Sequence, residues 1–398
     1  MNNIQTMRAT TPVSTYIGPD SSRMTGRLVR EMGYSRAFVL CDKAVRNVGH
    51  ADRVLDSLRE AAVSFTVFDD IVSEPTDALV TQISVLCREN LCQAVVAIGG
   101  GSCLDVGKSV AFLQKNVGSI CDYLADPTRP REKGAPLIAI PTTSGTGSEV
   151  THGLVVSDSM TGEKKGLGGS TFFASAALLD PILTLSLPPH VTASTAMDAF
   201  AHAVESMLSG NNNPNCRLLS LEAIRLIAAN LPDVMADGQN IEKRQHLMYA
   251  AYLAGMSLND TTCNLGHSLA HAIGGRYHIP HGTACAVTVP MTIACFAEVF
   301  PQRIRRIGES MGLSLPAQAD PQAAAKQVAD AVRELNRRTG IPSMFQLGIG
   351  YEELPGLAEY ALRENISTML RPAVVMRQLT ADDLLLLLRR EYDAEQHD

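Results

Sequence analysis

The sequence predicts an α/β half with a parallel, Rossmann-like sheet (residues 1–187), followed by an all-helical half (residues 188–398). Three observations carry this reading. Short apolar runs alternate with stretches of helical period through the first half. Strand-like runs nearly vanish beyond Leu187–Pro189. Two glycine-rich segments each follow directly on an apolar run. A chain of 398 residues accommodates two domains.

Taken in order, Ala37–Asp42 (AFVLCD), Phe65–Asp70 (FTVFDD), Ala94–Ile98 and Pro136–Pro141 (PLIAIP) read as buried parallel strands. Between them, Thr76 caps a helix whose Val80, Ile83 and Leu86 form an apolar stripe. The second half reads as helices over Ala193–Leu208, Arg217–Ala229, Arg244–Leu258, Asn264–Gly274, Asp320–Gly340 and Thr380–Tyr392. The fifth is punctuated by Asp320 as cap, Pro321 in the first turn and Gly340 as stop.

Composition excludes several classes. A net charge of −7 with no long basic run argues against a nucleic acid or an anionic membrane as partner. No apolar run reaches the roughly 18 residues of a membrane span. The first residues, MNNIQTMRATTPVS, lack the apolar core of a secretory signal. Nine cysteines without a CxxC pair read as reduced thiols in a cytoplasmic protein.

The stretch AVVAIGGGSCLDVGKSVAFL poses a choice between a nucleotide P-loop and a dinucleotide turn. A P-loop requires a glycine separated by four residues from Gly107-Lys108-Ser109, and that position, 102, is serine. The better parse makes Gly99, Gly100 and Gly101 the turn and Ser102 the helix cap. Asp105 then closes a capping box, and Lys108 falls nearly two turns into the helix. Free N–H groups at that helix start suit a pyrophosphate. The loop PTTSGTGSE follows a second strand and offers hydroxyls at Thr142, Thr143 and Thr146. Asp42, at the end of the first strand, either accepts from an adenosine ribose, favouring NAD over NADP, or caps a helix.

A second constellation lies in the helical half. Asp198 and His202 in MDAFAHAVE, and His267 and His271 in LGHSLAHAIGG, are each spaced i, i+4 and so share one helix face. His281 follows in the loop IPHG, with His278 close by. A carboxylate on an apolar helix is costly to bury unless paired or metal-bound. One carboxylate with several imidazoles suits divalent iron or zinc. No cysteine is read as belonging to this cluster, and HExxH is absent.

In chain order, GGGSxxDxxK, PTTSGTGSE, DAxxHAxE and GHxxAHxxGGxxxxPHG resemble the iron-containing, group III alcohol dehydrogenases over nearly the whole length. The resemblance implies a dehydroquinate-synthase-like two-domain fold, NAD on the glycine turn and a divalent metal in an interdomain cleft. By position it makes Asp198, His202, His267 and His281 the metal ligands and His271 a proton relay. It implies cofactor contacts at Asp42, Gly99, Gly100, Gly101, Ser102, Asp105, Thr142, Thr143 and Thr146, and at Lys164 or its neighbour Lys165. It also implies a homodimer or larger homo-oligomer.

Three positions depart from the family pattern: Leu258, Gly153 beside His152, and the VPMTIA stretch without a histidine after its proline. These touch the expected substrate pocket and point to a small alcohol or aldehyde carrying an acidic group. The rival readings are a P-loop hydrolase, an NAD-using metal-dependent lyase of dehydroquinate-synthase-like architecture, and a non-catalytic NAD-binding scaffold.

Overall fold

The computed structural model describes residues 8–71, 75–126, 128–129, 131–162, 164–210, 213–365 and 378–396. The chain forms two compact units, Thr11–Ser186 and Leu187–Asp398, the latter joined by Met1–Thr10. Thr10 is tied into that second unit by its N–H and hydroxyl, which donate to the Asp260 carboxylate at 2.9 and 2.8 Å.

The first unit runs β1 (Ser14–Ile17), α1 (Thr25–Glu31), β2 (Arg36–Cys41), α2 (Lys43–Asn47), α3 (His50–Glu60), β3 (Ser64–Phe68), α4 (Asp77–Glu89), β4 (Ala94–Gly99), α5 (Gly101–Leu113), α6 (Ile120–Ala125), β5 (Leu137–Pro141), β6 (Gly153–Ser157), β7 (Lys164–Gly168) and β8 (Ala176–Leu179). Six strands form one parallel sheet in the order β1-β8-β5-β4-β2-β3. All four strands read from sequence are in it, each shifted by at most two residues. β4 and β5 are buried along their whole length, which is why they read as continuous apolar runs. The antiparallel pair β6–β7 and the strands β1 and β8 were not anticipated; STYI and AALL are too short to carry a period.

The sheet order sets the position of any ligand. From β2 the chain moves outward to β3, then returns to the other side of β2 for β4 and continues to β5. Such a reversal opens a crevice at the carboxyl ends of β2 and β4, where α/β sheets bind ligands. Asp42 follows β2 and the triglycine turn follows β4.

The second unit comprises α7 (Pro189–Met207), α8 (Pro214–Ala236), α9 (Ile241–Leu258), α10 (Leu265–Tyr277), α11 (His281–Cys295), α12 (Pro301–Ser310), α13 (Pro321–Arg338), α14 (Leu354–Asn365) and α15 (Ala381–Gln396). No strand occurs in it among the described residues. Asp320 caps α13 by accepting from the Ala323 N–H at 2.9 Å, and Gly340 takes a left-handed φ of 74° just past its end. From Ala196 to Met207 α7 is buried all round, as a core helix is, with Asp198, His202 and Glu205 as its ionisable residues. One expectation fails: His281 is not in a loop but is the first residue of α11. Pro280 caps that helix, and left-handed His278 reverses the chain out of α10. No helix among the described residues is long and apolar enough to cross a membrane.

Gly107 shows how tightly α5 sits on the sheet. A Cβ there would lie 2.6 Å from Ala97 Cβ and 3.3 Å from Leu137 Cδ1. Gly107→Ala would gain helix propensity, yet it is expected to cost about 1–3 kcal/mol through overpacking. Urea unfolding measures the sign: a more stable variant would refute this packing.

Candidate metal centre and dinucleotide turn

The metal-type cluster is built from three helices of the second unit. On α7, Asp198, His202 and Glu205 are spaced i, i+4, i+7 and share one face. α10 supplies His267 and His271, and the first turn of α11 supplies His281. Asp198 Oδ1 is the hub. It lies 3.7 Å from His202 Nε2, 3.6 Å from His267 Nε2 and 3.6 Å from His281 Nε2. Ligands about 2.0–2.2 Å from a tetrahedral ion are spaced roughly 3.3–3.6 Å apart, close to these edges.

Asp198 Oδ1 and His267 Nε2 are buried and have no hydrogen-bond partner. Two such atoms facing each other cost free energy unless something fills the gap between them. The donor set therefore fits a divalent cation. Burial raises the Asp198 carboxyl, but the surrounding imidazoles outweigh it and hold the group well below the usual carboxylate range. Burial pushes His202 down to about 4, so it is neutral at physiological pH and offers its lone pair. His267 is raised well above its ordinary value. Burial opposes this, but the Cys263, Cys285, Glu205 and Asp198 interactions prevail. A cation held there by His267 would require that proton to leave.

Glu205 supports the cluster from behind and was quoted in the sequence motif without a role. Its carboxylate is fully buried and accepts from the His267 N–H at 2.7 Å and from the Asn264 N–H. His267 Nδ1 is 2.9 Å from Glu205 Oε1, which turns Nε2 toward Asp198. Gly266 is required here, because a Cβ would lie 2.2 Å from Glu205 Oε1. Gly282 plays the same part on α11, where a Cβ would meet the Ser194 carbonyl oxygen at 2.1 Å. The signal for Glu205 was its place three residues after His202 on an apolar helix.

His271 stands one turn beyond His267, on the exposed side, with ring centroids 6.5 Å from His267 and 5.3 Å from His281. The expectation that no cysteine belongs to the cluster is overturned. Cys285 groups with Asp198, His267 and His281, and Cys263 with His202 and His267, each group within 4.8 Å. Helix α11 makes this possible: Cys285 is i+4 from His281, a spacing hidden when His281 was read as loop.

In the first unit the triglycine turn and the PTTSGTGSE loop pack on each other. The Thr142 N–H donates to the Gly99 carbonyl at 3.0 Å, and a Cβ on Gly101 would lie 2.6 Å from Thr146 Cγ2. A Cβ on Gly100 would sit 3.6 Å from Thr143 Cγ2. The expected capping box is not formed. Gly100, not Ser102, is the N-cap of α5, with no side-chain cap. Asp105 instead accepts from Ser148 Oγ at 2.6 Å and the Val155 N–H at 2.9 Å, fastening the loop to α5 and β6. The helix start is half-exposed, and the N-terminus of a helix favours an anion.

Asp42 caps α2, accepting from the Val45 N–H at 2.7 Å, while Oδ2 lies 3.7 Å from where a Gly99 Cβ would be. Lys164 begins β7 with an exposed side chain; Lys165 pairs with Asp158 at 2.6 Å. Lys108 is buried and donates to the Gly153 carbonyl at 2.6 Å and to Thr151 Oγ1 at 3.2 Å. It is a tether for the strand after the loop, not a phosphate-gripping lysine.

Two family models match the chain: iron-containing alcohol dehydrogenase over residues 12–181, and the C-terminal part of the Fe-containing alcohol dehydrogenase family over 192–392. The chain belongs to the iron-containing alcohol dehydrogenase family. This alcohol dehydrogenase is 33% identical over 356 residues to the 1,3-propanediol dehydrogenase of Klebsiella pneumoniae, covering 89% of this chain and 92% of that one. The crystal structure of a 1,3-propanediol oxidoreductase superposes with a TM-score of 0.89 at 30% identity, covering 97% of this chain and all (100%) of that one. The sulfoacetaldehyde reductase of Bifidobacterium kashiwanohense, solved in complex with NAD+, gives 0.85 at 28% identity, covering 98% and 99%. The alcohol dehydrogenase accordingly interconverts alcohols and aldehydes with NAD(H) as hydride carrier.

Two predictions follow from these geometries. Glu205→Gln would aim an amide N–H at one of three donors that now converge on a carboxylate. It is expected to weaken metal affinity about 10- to 100-fold, measured by competition with a chromogenic chelator. Burial lowers Lys108 to about 8 from 10.5 in the unfolded chain, despite Asp105 and Glu149 nearby. Between these values the unfolded chain binds more protons, so stability contributed by Lys108 rises with pH. The stability difference between wild type and Lys108→Met should be level below pH 8 and grow in favour of wild type up to about 10.5.

Proposed function

We propose that the enzyme acts on a small alcohol or aldehyde carrying an acidic group, using a divalent iron or zinc ion held by Asp198, His202, His267 and His281. One observation carries this reading: a buried carboxylate oxygen faces three imidazole nitrogens at 3.6–3.7 Å and has no hydrogen-bond partner. In this reading the helical unit, residues 188–398, holds the metal and the α/β unit, residues 1–187, holds NAD.

When bound, the ion polarises the substrate oxygen and NAD carries the hydride. The chain supplies the rest. Glu205 holds His267 in the tautomer whose Nε2 faces the cluster. Asp198 remains a carboxylate and offsets the cation's charge. His271, on the exposed side, takes the substrate proton toward solvent. For the cofactor, Gly99, Gly100, Gly101 and Ser102 present the start of α5 to the pyrophosphate. Thr142, Thr143, Thr146 and Lys164 contact the remainder. Asp105 acts by holding the loop, and Asp42 reads the adenosine ribose with the carboxylate oxygen that does not cap α2.

The acidic-group reading is supported by Gly153, around whose missing side chain nothing lies within 4 Å, beside His152. It is also supported by the likeness to a sulfoacetaldehyde reductase. We place the enzyme in the cytoplasm as a homodimer or larger assembly; all nine cysteines are unbridged, as a reducing compartment requires.

Metal analysis of freshly purified protein, then NADH absorbance with a panel of alcohols and aldehydes, tests the reading. His267→Ala should lose the metal and all measurable turnover; near-normal turnover after chelation would refute the metal assignment. His271→Ala should keep its metal and lose about 10²–10⁴-fold in kcat, with a changed pH profile. Carboxylated or sulfonated substrates should exceed unbranched neutral alcohols in kcat/KM.

A further inference from the structure

We propose that Cys87 and Cys92 form a peroxide-oxidisable dithiol, in which Cys92 reacts first and Cys87 closes a disulfide onto it. The ending of helix α4 brings the pair together. The Leu91 N–H donates to the Arg88 carbonyl at 2.9 Å and the Cys92 N–H donates to the Cys87 carbonyl at 3.1 Å. Leu91, between them, takes a left-handed φ of 50°. In a helix ending of this kind the residues at the places of Cys87 and Cys92 commonly lay their side chains against each other. Ordinary bond lengths across that second hydrogen bond hold the two Cα atoms within about 7 Å, which is the reach of a disulfide. The two sulfurs are already hydrogen-bonded to each other.

Access and acidity divide the roles. Cys92 is half-buried, whereas Cys87 is 1% exposed. The hydrogen bond from Cys87 pulls Cys92 below its ordinary value, and the Thr66 hydroxyl and Arg36 help it against burial. The same hydrogen bond, joined by burial, pushes Cys87 far up. Cys121, the other half-buried cysteine of this unit, is pushed up to about 11 by burial and Asp77. Thiolate therefore forms most readily at Cys92. Its sulfur attacks one oxygen of hydrogen peroxide and breaks the O–O bond. The hydroxide released takes up the proton that Cys92 gave, so the products are water and a sulfenic acid. The Cys87 sulfur then attacks the Cys92 sulfur, and its proton leaves with the sulfenic oxygen as a second water. Two thiols become one disulfide, and the peroxide takes the two electrons. A dithiol reductant reverses the bridge. Closure stops Cys92 at a reversible stage, ahead of sulfinic acid.

The test is brief treatment of the purified holoenzyme with hydrogen peroxide, alkylation of the remaining thiols, and non-reducing tryptic digestion read by mass spectrometry. Arg88 lies between the two cysteines, so their disulfide joins peptides 60–88 and 89–108. Fragmentation tells Cys92 from Cys103, which shares the second peptide. Wild type should give the joined peptides, and dithiothreitol should separate them and restore both thiols. Cys87→Ser should give no link; dimedone should tag Cys92, and longer exposure should carry it to sulfinic acid. Cys92→Ser should lose both the link and any dimedone tag on Cys87. The wild-type digest alone is decisive, so the result does not depend on a variant folding. Cys92 left unmodified in wild type, or carried to sulfinic acid without a link, would overturn the proposal. A link made through Cys103 would overturn the assignment to Cys92. A dimedone tag on Cys87 in Cys92→Ser would overturn the order of reaction.

Discussion

The helical unit is organised around one demand: the Asp198 carboxylate is buried and charged, and its Oδ1 has no hydrogen-bond partner. Removing a partner from a buried charge costs several kcal/mol, so a fold that keeps such a group must answer it. Three imidazoles close in on it, two of them buried, but unless one of them takes up a proton they do not cancel a full negative charge. A divalent cation does. Around this demand other choices become intelligible. Glu205 fixes the facing nitrogen of His267. Gly266 and Gly282 let that carboxylate and the α7 backbone approach to distances no side chain would allow.

The α/β unit is arranged around its sheet instead. Its crevice lies where the strand order reverses, between β2 and β4. There the glycine turn, the hydroxyl-rich loop and Asp42 come together. The ionisable residues that resemble catalytic groups are engaged in holding the loop: Asp105 grips Ser148 and Val155, and Lys108 grips Thr151 and Gly153. The positive field at the start of α5 is what would favour a phosphate there.

Much of this was legible in one dimension. The parallel strands announced themselves as unbroken apolar runs, and the i, i+4 pairs announced shared helix faces. What escaped did so for local reasons. Ser102 and Asp105 have the spacing of a capping box, but helix α5 starts two residues earlier than that box requires, at Gly101, and Asp105 finds partners 43 and 50 residues away. His281 follows Ile279-Pro280, a loop signature, yet proline also begins helices. Once it began one here, Cys285 turned toward the cluster.

The sequence by itself determined the two-part organisation, the family and the short-range pairs, because helical and strand periods are properties of neighbouring residues. Only the tertiary structure decided which nitrogen of His267 faces inward, which loop Asp105 and Lys108 hold, and that a cysteine shares the cluster with Asp198. Those outcomes depend on the packing of α7, α10 and α11, and of α5 against β6. Contacts between residues dozens of positions apart leave no periodic trace in the chain.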